Sequence, residues 1–207
     1  MNSNNILHSH AAEIGREIQN HRYEVAPDGF LLPRMGVFIG GSMLVRDYRD
    51  GSVEQMTIDA NTLVREGLIH ICNQLLPPTG GYTGAIQQWY IVPFEGNYTP
   101  DGNTLTAANF PATANEFEAY TATQRPALVI ANAATTPSTG NTGNEAVLTM
   151  AAGGPHNIYG AALTSSSAKG STTGKLLACV RFDNPRLNLA PNDKLGLEYV
   201  FTAADAA

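Results

Sequence analysis

The stretch Lys194–Thr202 (KLGLEYVFT) alternates apolar residues with more polar ones. Leu195, Leu197, Tyr199 and Phe201 occupy every second position. Successive side chains of a β-strand point to opposite faces, so this period of two predicts a strand with one buried face. The stretch therefore favours a β-rich domain that buries one side of this strand.

A β-hairpin is predicted closer to the N-terminus. Gly36–Val45 is apolar, Val53–Ile58 alternates cleanly, and Asp50-Gly51 lies between them. Asp-Gly between two strand-like runs is a strong hairpin signal. Gly40-Gly41 inside the first run indicates a bend or a bulge.

One helix is predicted over about residues 61–76. Asp59 or Asn61 is available to cap it, and Pro77-Pro78 ends it. We expect its apolar face to pack on a sheet and His70 to lie on its polar side. The apolar residues at helical spacing are Leu63, Val64, Leu68, Ile71, Cys72, Leu75 and Leu76.

The rest of the chain predicts short strands separated by turns. A helical turn is expected within 108–120 and an exposed loop over 132–144, which is rich in Thr, Asn, Gly and Ala. The fold class predicted is mainly β: an antiparallel β-sandwich or jelly-roll-like body with one packed helix. The further strands are predicted at 86–94, 126–131, 145–151, 157–164 and 176–182.

Residues 1–34 are predicted to form an N-terminal arm, and residues 35–207 a single β-rich domain. Ser9 can cap a short helix over Ala11–Gln19, whose narrow apolar stripe needs a surface to lie on. Tyr23–Pro33, broken by prolines and a glycine, is expected to be extended.

Two interpretations of the arm remain open: a frayed terminus, or a segment that orders against a neighbouring subunit. On the second interpretation, the candidate assembly residues of the arm are Ile14, Ile18, Tyr23, Phe30 and Leu31.

Composition limits the functions that this chain can perform. Charged residues are 14% of its 207 residues, against roughly 25% in typical soluble domains, and small neutral polar residues take their place. Such a surface suits close packing against other protein. A net charge of -6 argues against direct nucleic-acid binding.

The sequence also predicts where the protein is found and the state of its cysteines. No apolar run is long enough to span a membrane, and Met1–Asn5 lacks the basic and then apolar regions of a signal peptide, so we expect the protein to stay in the compartment where it is made. Cys72 and Cys179 lie in apolar segments and are expected to be buried, reduced thiols.

No motif for catalysis, cofactor binding or metal binding is present. Lys169–Lys175 (KGSTTGK) departs from a phosphate-binding loop at both ends, and a hairpin loop accounts for it better. The histidines and acids lack the spacing of a zinc or calcium site. We therefore expect neither an enzyme nor a cofactor.

Several short sequence segments, spread over roughly residues 60–203, resemble segments of small structural proteins from the virions of tailed bacteriophages. They are Trp89-Tyr90-Ile91, Phe94–Pro100 (FEGNYTP), Phe117–Tyr120 (FEAY), Arg125-Pro126, Ile158–Ala161 (IYGA), Ser165–Gly170 (SSSAKG) and Arg181-Phe182.

This resemblance implies a virion component without fixing its place in the virion. With the arm and the absence of a catalytic motif, it leads us to expect a capsid cement or decoration protein, made in the host cytoplasm and bound to the capsid exterior. Its partners would be the major capsid protein and further copies of itself, as a dimer or trimer. The alternative is a tail, head-fibre or adaptor component that contacts the host or the connector. Exposed aromatic side chains would favour that alternative, whereas packing in the core is the simpler account of Tyr82, Trp89, Tyr90 and Tyr98.

Overall fold

A computed structural model describes residues 23–25, 31–33, 37–79, 81, 84–130, 133 and 135–205. The chain divides into two compact units, residues 1–39 with 203–207, and residues 40–202. The strands in chain order are Tyr23–Val25 (β1), Leu31–Pro33 (β2), Val37–Arg49 (β3), Ser52–Ala60 (β4), Thr62–Leu63 (β5), Tyr90–Phe94 (β6), Ser138–Gly140 (β7), Ala146–Thr149 (β8), His156–Thr164 (β9), Leu176–Leu189 (β10) and Lys194–Asp205 (β11).

The strands of the described residues form antiparallel sheets, as predicted. One sheet has the order β4-β3-β11-β7, and β8 also pairs with β11. A second sheet has the order β5-β10-β9-β6. In the first unit, β1 and β2 form a separate antiparallel pair with Val25 opposite Leu31. The predicted helix at 11–19 lies outside the described residues.

The two larger sheets enclose a shared hydrophobic core, which makes the body a β-sandwich. β3 and β11 contribute from one sheet, and β6, β9 and β10 from the other. The members with no exposed surface include Met43, Val45, Ile91, Ile158, Phe182, Leu195 and Leu197.

The β5-β10-β9-β6 sheet is buried on both faces. Ile91 of β6 faces the shared core, whereas its neighbour Val92 belongs to a second cluster with Phe94, Phe110 and Cys179. Residues 105–114 supply part of this second cluster, including a π-helical turn at Pro111–Asn115 within the predicted helical stretch. Strands buried on both sides are apolar throughout rather than alternating, which is the pattern of Tyr90–Phe94.

The predicted hairpin at Asp50-Gly51 is confirmed. β3 and β4 pair from Ser42 opposite Ala60 to Arg49 opposite Ser52. Asp50 and Gly51 have φ values of 49° and 80°, the left-handed region that a two-residue hairpin turn requires.

The α-helix in the described part of the chain, Arg65–Leu75 (α1), matches the predicted one but begins at Arg65. It packs on β10 so closely that a side chain at Gly67 would collide with the backbone of Leu177, with its Cβ 2.7 Å from the Leu177 Cα. The expected caps are wrong. Val64 occupies the N-cap position without a side-chain hydrogen bond, and Asp59 is buried within β4.

Other details differ from the prediction. Within the described residues 126–130, a single bridge from Ala127 to Tyr90 replaces the expected strand. The predicted loop at 132–144 contains β7, which pairs with β11. Cys179 is buried as expected, but Cys72 is exposed, because it lies on the solvent side of α1. Among the residues that the structure describes, no helix has the length and apolar character to cross a membrane.

Candidate assembly surfaces

An open apolar groove of about 310 Å³ lies beside α1. One wall is the helix face that carries His70, and the other walls carry Trp89, Leu128 and Phe201. Side chains from the helix, from β11 and from the segments before and after β6 therefore meet here. The other apolar lining residues are Ile71, Leu75, Ile86, Ile130, Leu163 and Leu177.

His70 belongs to this groove and does not lie on the polar side of the helix, so that expectation is wrong. Its side chain is buried, and its ring meets the Trp89 ring edge-on, with centroids 5.7 Å apart at 80°. Burial lowers the pKa of His70, and the positive charge of Lys175 lowers it further. The imidazole is thus mainly neutral at pH 7, which keeps this wall uncharged.

The backbone around Trp89 holds its ring against the core. The Leu128 N–H donates to the Trp89 carbonyl oxygen at 2.8 Å. The Gln88 side-chain amide donates to the carbonyl oxygens of Trp89 and Leu128, both at 2.8 Å. These bonds tie residues 88–89 to residue 128, so that wall of the groove is built in advance of any binding.

At the rim of the groove, α1 ends at Leu75, which lines the groove, and Leu76 follows it in the chain. Leu75 is 70% exposed and Leu76 is 84% exposed. A lone exposed leucine is ordinary, but leucines continuous with an open apolar groove are typical of an interaction site. Ile130 is exposed on another wall. The groove and its rim can therefore receive apolar side chains of another protein.

A second apolar surface lies on strand β4, which turns its apolar side to solvent. Val53, Met56 and Ile58 are 51%, 60% and 70% exposed. We call these residues the β4 outer stripe. Gln55 and Thr57, which alternate with Met56 and Ile58, are half-buried, and Asp59 is buried. The orientation is the opposite of that in an ordinary half-buried strand.

Arg186 explains this orientation. Its side chain, in β10, is fully buried, and it donates to the Thr57 hydroxyl at 2.7 Å and to the Val45 carbonyl. The Thr57 hydroxyl donates in turn to Asp59 at 2.8 Å, and Asp59 accepts the N–H of Asp183 at 2.9 Å. A buried guanidinium needs such partners, so β4 must present its polar face inward.

Charged side chains elsewhere are engaged in structural contacts. Arg125 and Glu116 form a buried bidentate pair at 2.9 and 2.6 Å. Arg46 pairs with Glu198 at 2.7 Å and with Glu145. In the described ranges, no cluster of three His, Cys, Asp or Glu side chains is arranged to hold a metal ion.

The segment Lys169–Lys175 is the connection between the paired strands β9 and β10, as the hairpin interpretation predicts. Lys169 lies 3.5 Å from the centre of the Tyr120 ring and donates to the Glu118 and Tyr120 carbonyls. Lys175 lies 3.4 Å from a Glu66 carboxylate oxygen. Both lysines therefore fasten the loop to the body.

The predicted arm residues are not brought together by the described structure. Ile14, Ile18 and Phe30 lie outside the described residues. Tyr23 pairs opposite Pro33, and Leu31 pairs opposite Val25, in the β1–β2 pair. Their role in assembly stays a prediction.

The described aromatic side chains that an exposed cluster would need are packed, as the simpler account predicts. Trp89 packs against the shared core, Tyr98 packs against the second cluster, and Tyr90 is partly buried. Tyr82 lies outside the described residues. Packing thus accounts for the three that are described.

Sequence reasoning did not identify either apolar surface. The groove joins residues up to 131 positions apart, from His70 to Phe201, and each looks like an ordinary core residue by itself. For β4, the sequence offered no such signal, because Arg186 lies among polar residues of β10, including Asp183 and Asn184, and nothing in that pattern marks it as buried. Comparisons of the chain with protein-family models, curated proteins and solved structures gave no match.

Proposed function

We propose that this protein is a structural component of a tailed-phage virion, a cement protein that binds the major capsid protein on the capsid exterior. The observation that carries the proposal is the preformed apolar groove beside α1, with its exposed leucine rim. The resemblance of short segments within residues 60–203 to structural proteins of tailed-phage virions is the reason to place the partner in a virion. The chain would be made in the host cytoplasm and join the head as a dimer or trimer.

The chemistry of the groove favours a protein partner over a sugar. Sugar binding needs several polar groups that converge on hydroxyls, whereas this groove is lined mainly by aliphatic and aromatic side chains. Apolar side chains of the major capsid protein would bury their surface here at about 25 cal/mol per Å². Repetition over many symmetric positions would add avidity to a modest single contact.

The arm would add a second contact. The short helix that the sequence predicts over Ala11–Gln19, with Ile14 and Ile18, would be marginal in water and would gain order only by binding to a neighbour. Deletion of residues 1–33 is therefore expected to leave a folded body that joins capsids more weakly. Unchanged incorporation of the truncated chain would remove the arm from the proposal.

The decisive test is the position of the chain in intact virions, by cryo-electron microscopy with mass spectrometry to identify the protein. Density at many symmetric positions on the head exterior is expected. A few copies at the tail or a vertex would instead support the alternative of a tail, head-fibre or adaptor component. Absence of the protein from virions would contradict both the cement role and the alternative.

A matched pair of variants tests the groove itself. Leu75→Asp places a charge on the rim, while Leu187→Asp places one at an exposed leucine of β10 that does not line the groove. Leu75→Asp is expected to reduce binding to heads that lack the protein by at least about tenfold, because a buried carboxylate loses its hydration. Leu187→Asp is expected to bind like the wild type. Equal binding by all three proteins would exclude the groove.

A further inference from the structure

Strand β4 lies at the edge of its sheet. Within the described residues it pairs with β3 and with no other strand. The pairing is irregular at the turn end, between Asp47 and Tyr48, which leaves Gln55–Ala60 in regular register. One side of this segment therefore offers unpaired backbone groups, beside the exposed Met56 and Ile58. A long apolar edge of this kind is a template for another strand.

We propose that a second copy of this chain pairs with β4, strand against strand and antiparallel, about a two-fold axis at Thr57. In this register Met56 lies opposite Ile58 of the second copy, and Ile58 opposite Met56. The two outer stripes then form one apolar cluster across the new pair. Leu44 lies opposite Ile58 within the sheet and extends the cluster on each side.

The faces of the strand exclude the registers shifted by one residue. Side chains alternate between faces, so a one-residue shift would set the apolar Met56 opposite the inward-facing Thr57. The proposed register keeps Met56 and Ile58 on one face and Gln55, Thr57 and Asp59 on the other. It also places Gln55 opposite Asp59, and Glu54 opposite Ala60, so no like charges oppose each other.

The same register explains why the occupant is a second copy and not an unrelated strand. A two-fold interface must be complementary to itself, because each residue meets its partner position twice. β4 satisfies this condition over Gln55–Asp59, which is in regular register with β3. The inference concerns the chain in solution and does not depend on the capsid role.

The first test is analytical ultracentrifugation of the full chain and of two lysine variants. Wild type is expected to be dimeric at micromolar concentration. Ile58→Lys should raise the dimer dissociation constant about 100-fold or more, because both copies lose an apolar contact and must desolvate an ammonium group. Val147→Lys is the control, since Val147 is a 43% exposed residue of β8, on the side of β11 away from β4. A monomeric wild type, or a dimer insensitive to Ile58→Lys, would overturn the inference.

Disulfide cross-linking tests the register, and this test remains informative even if the lysine variant fails to fold. In a Cys72→Ser background, the Met56→Cys and Ile58→Cys chains are mixed and mildly oxidised. Opposed residues of an antiparallel pair have Cβ atoms about 4.5–5.5 Å apart, close to the range of a disulfide. A linked dimer is expected from the mixture and not from either variant alone. Links within a single variant, or none in the mixture, would contradict the axis at Thr57.

Discussion

Strands β4 and β11 lie in the same sheet and both alternate apolar with polar residues. However, β11 buries its apolar residues, whereas β4 buries its polar ones. β11 buries Leu195, Leu197 and Tyr199 in the shared core. β4 buries Asp59 and exposes Met56 and Ile58. The comparison teaches that alternation predicts a strand, whereas the buried side depends on what the strand packs against.

The two strands face different neighbours across the sandwich. Leu195 and Leu197 meet aliphatic and aromatic side chains, and burying them removes apolar surface from water. The inner side of β4 meets Arg186. Burial lowers the pKa of this guanidinium, and the carboxylates of Asp47 and Asp59 offset part of that decrease. Keeping a buried guanidinium charged requires these carboxylates and the Thr57 hydroxyl. The polar side of β4 is therefore held inside.

Breaking the Arg186 cluster should have the largest effect. Arg186→Met is expected to lower the free energy of unfolding by about 3–5 kcal/mol, because it removes the buried positive charge that interacts with Asp47 and Asp59, although Asp47 keeps its ion pair with Arg49 at 3.2 Å. Urea denaturation at one protein concentration measures the change. Adding Asp59→Asn to Arg186→Met should recover part of the loss, since it removes one unpaired charge. A stable Arg186→Met protein would show that the cluster does not hold β4 in place.

The matching change on β11 is Leu197→Ala, which leaves a cavity in the shared core. We expect a loss of about 2–5 kcal/mol in the free energy of unfolding, depending on how far the core relaxes. Urea denaturation of the wild type in parallel provides the comparison. A loss well under 1 kcal/mol would mean that the inner side of β11 is not tightly packed.

A smaller effect is expected from pH, at the groove where β11 meets α1. The pKa of His70 is lowered by burial and by Lys175, below its ordinary value of about 6.5. The unfolded chain then binds this proton more readily than the folded chain. Stability is therefore unaffected above about pH 6.5 and falls as the pH drops from there to the folded pKa.

The control for this prediction is His70→Phe, which keeps a ring in the groove without a titrating group. The free energy of unfolding of the variant should fall less than that of the wild type between pH 8 and pH 5. Urea denaturation at both pH values measures it. Equal slopes for the two proteins would show that the His70 proton is not linked to folding.

The smallest effect is expected at the β4 outer stripe. Ile58→Ser should change the free energy of unfolding of the monomer by less than about 0.5 kcal/mol, because the side chain is 70% exposed. Denaturation of protein diluted below its association range provides the measurement. A loss comparable to that of Leu197→Ala would mean that β4 buries its apolar side after all.

The elements that depend on local signals were predictable from sequence. Asp50-Gly51 requires positive φ at both positions, so the β3–β4 turn could be placed to the residue. The helix ends near Pro77 for an equally local reason. By contrast, the walls of the groove include His70, Trp89 and Phe201, which are far apart in sequence and are brought together only by the tertiary fold.

The sequence by itself determined that the chain forms a mainly β domain with the helix α1 on a sheet, since periodicity and turn residues act over a few neighbours. Only the tertiary structure decided which side of β4 faces solvent and where apolar surface is left open. Arg186 and Thr57 are 129 positions apart, and no local pattern contains their hydrogen bond. The cost of burying a charge without partners is the physical reason, because it overrides the preference of Met56 and Ile58 for the core.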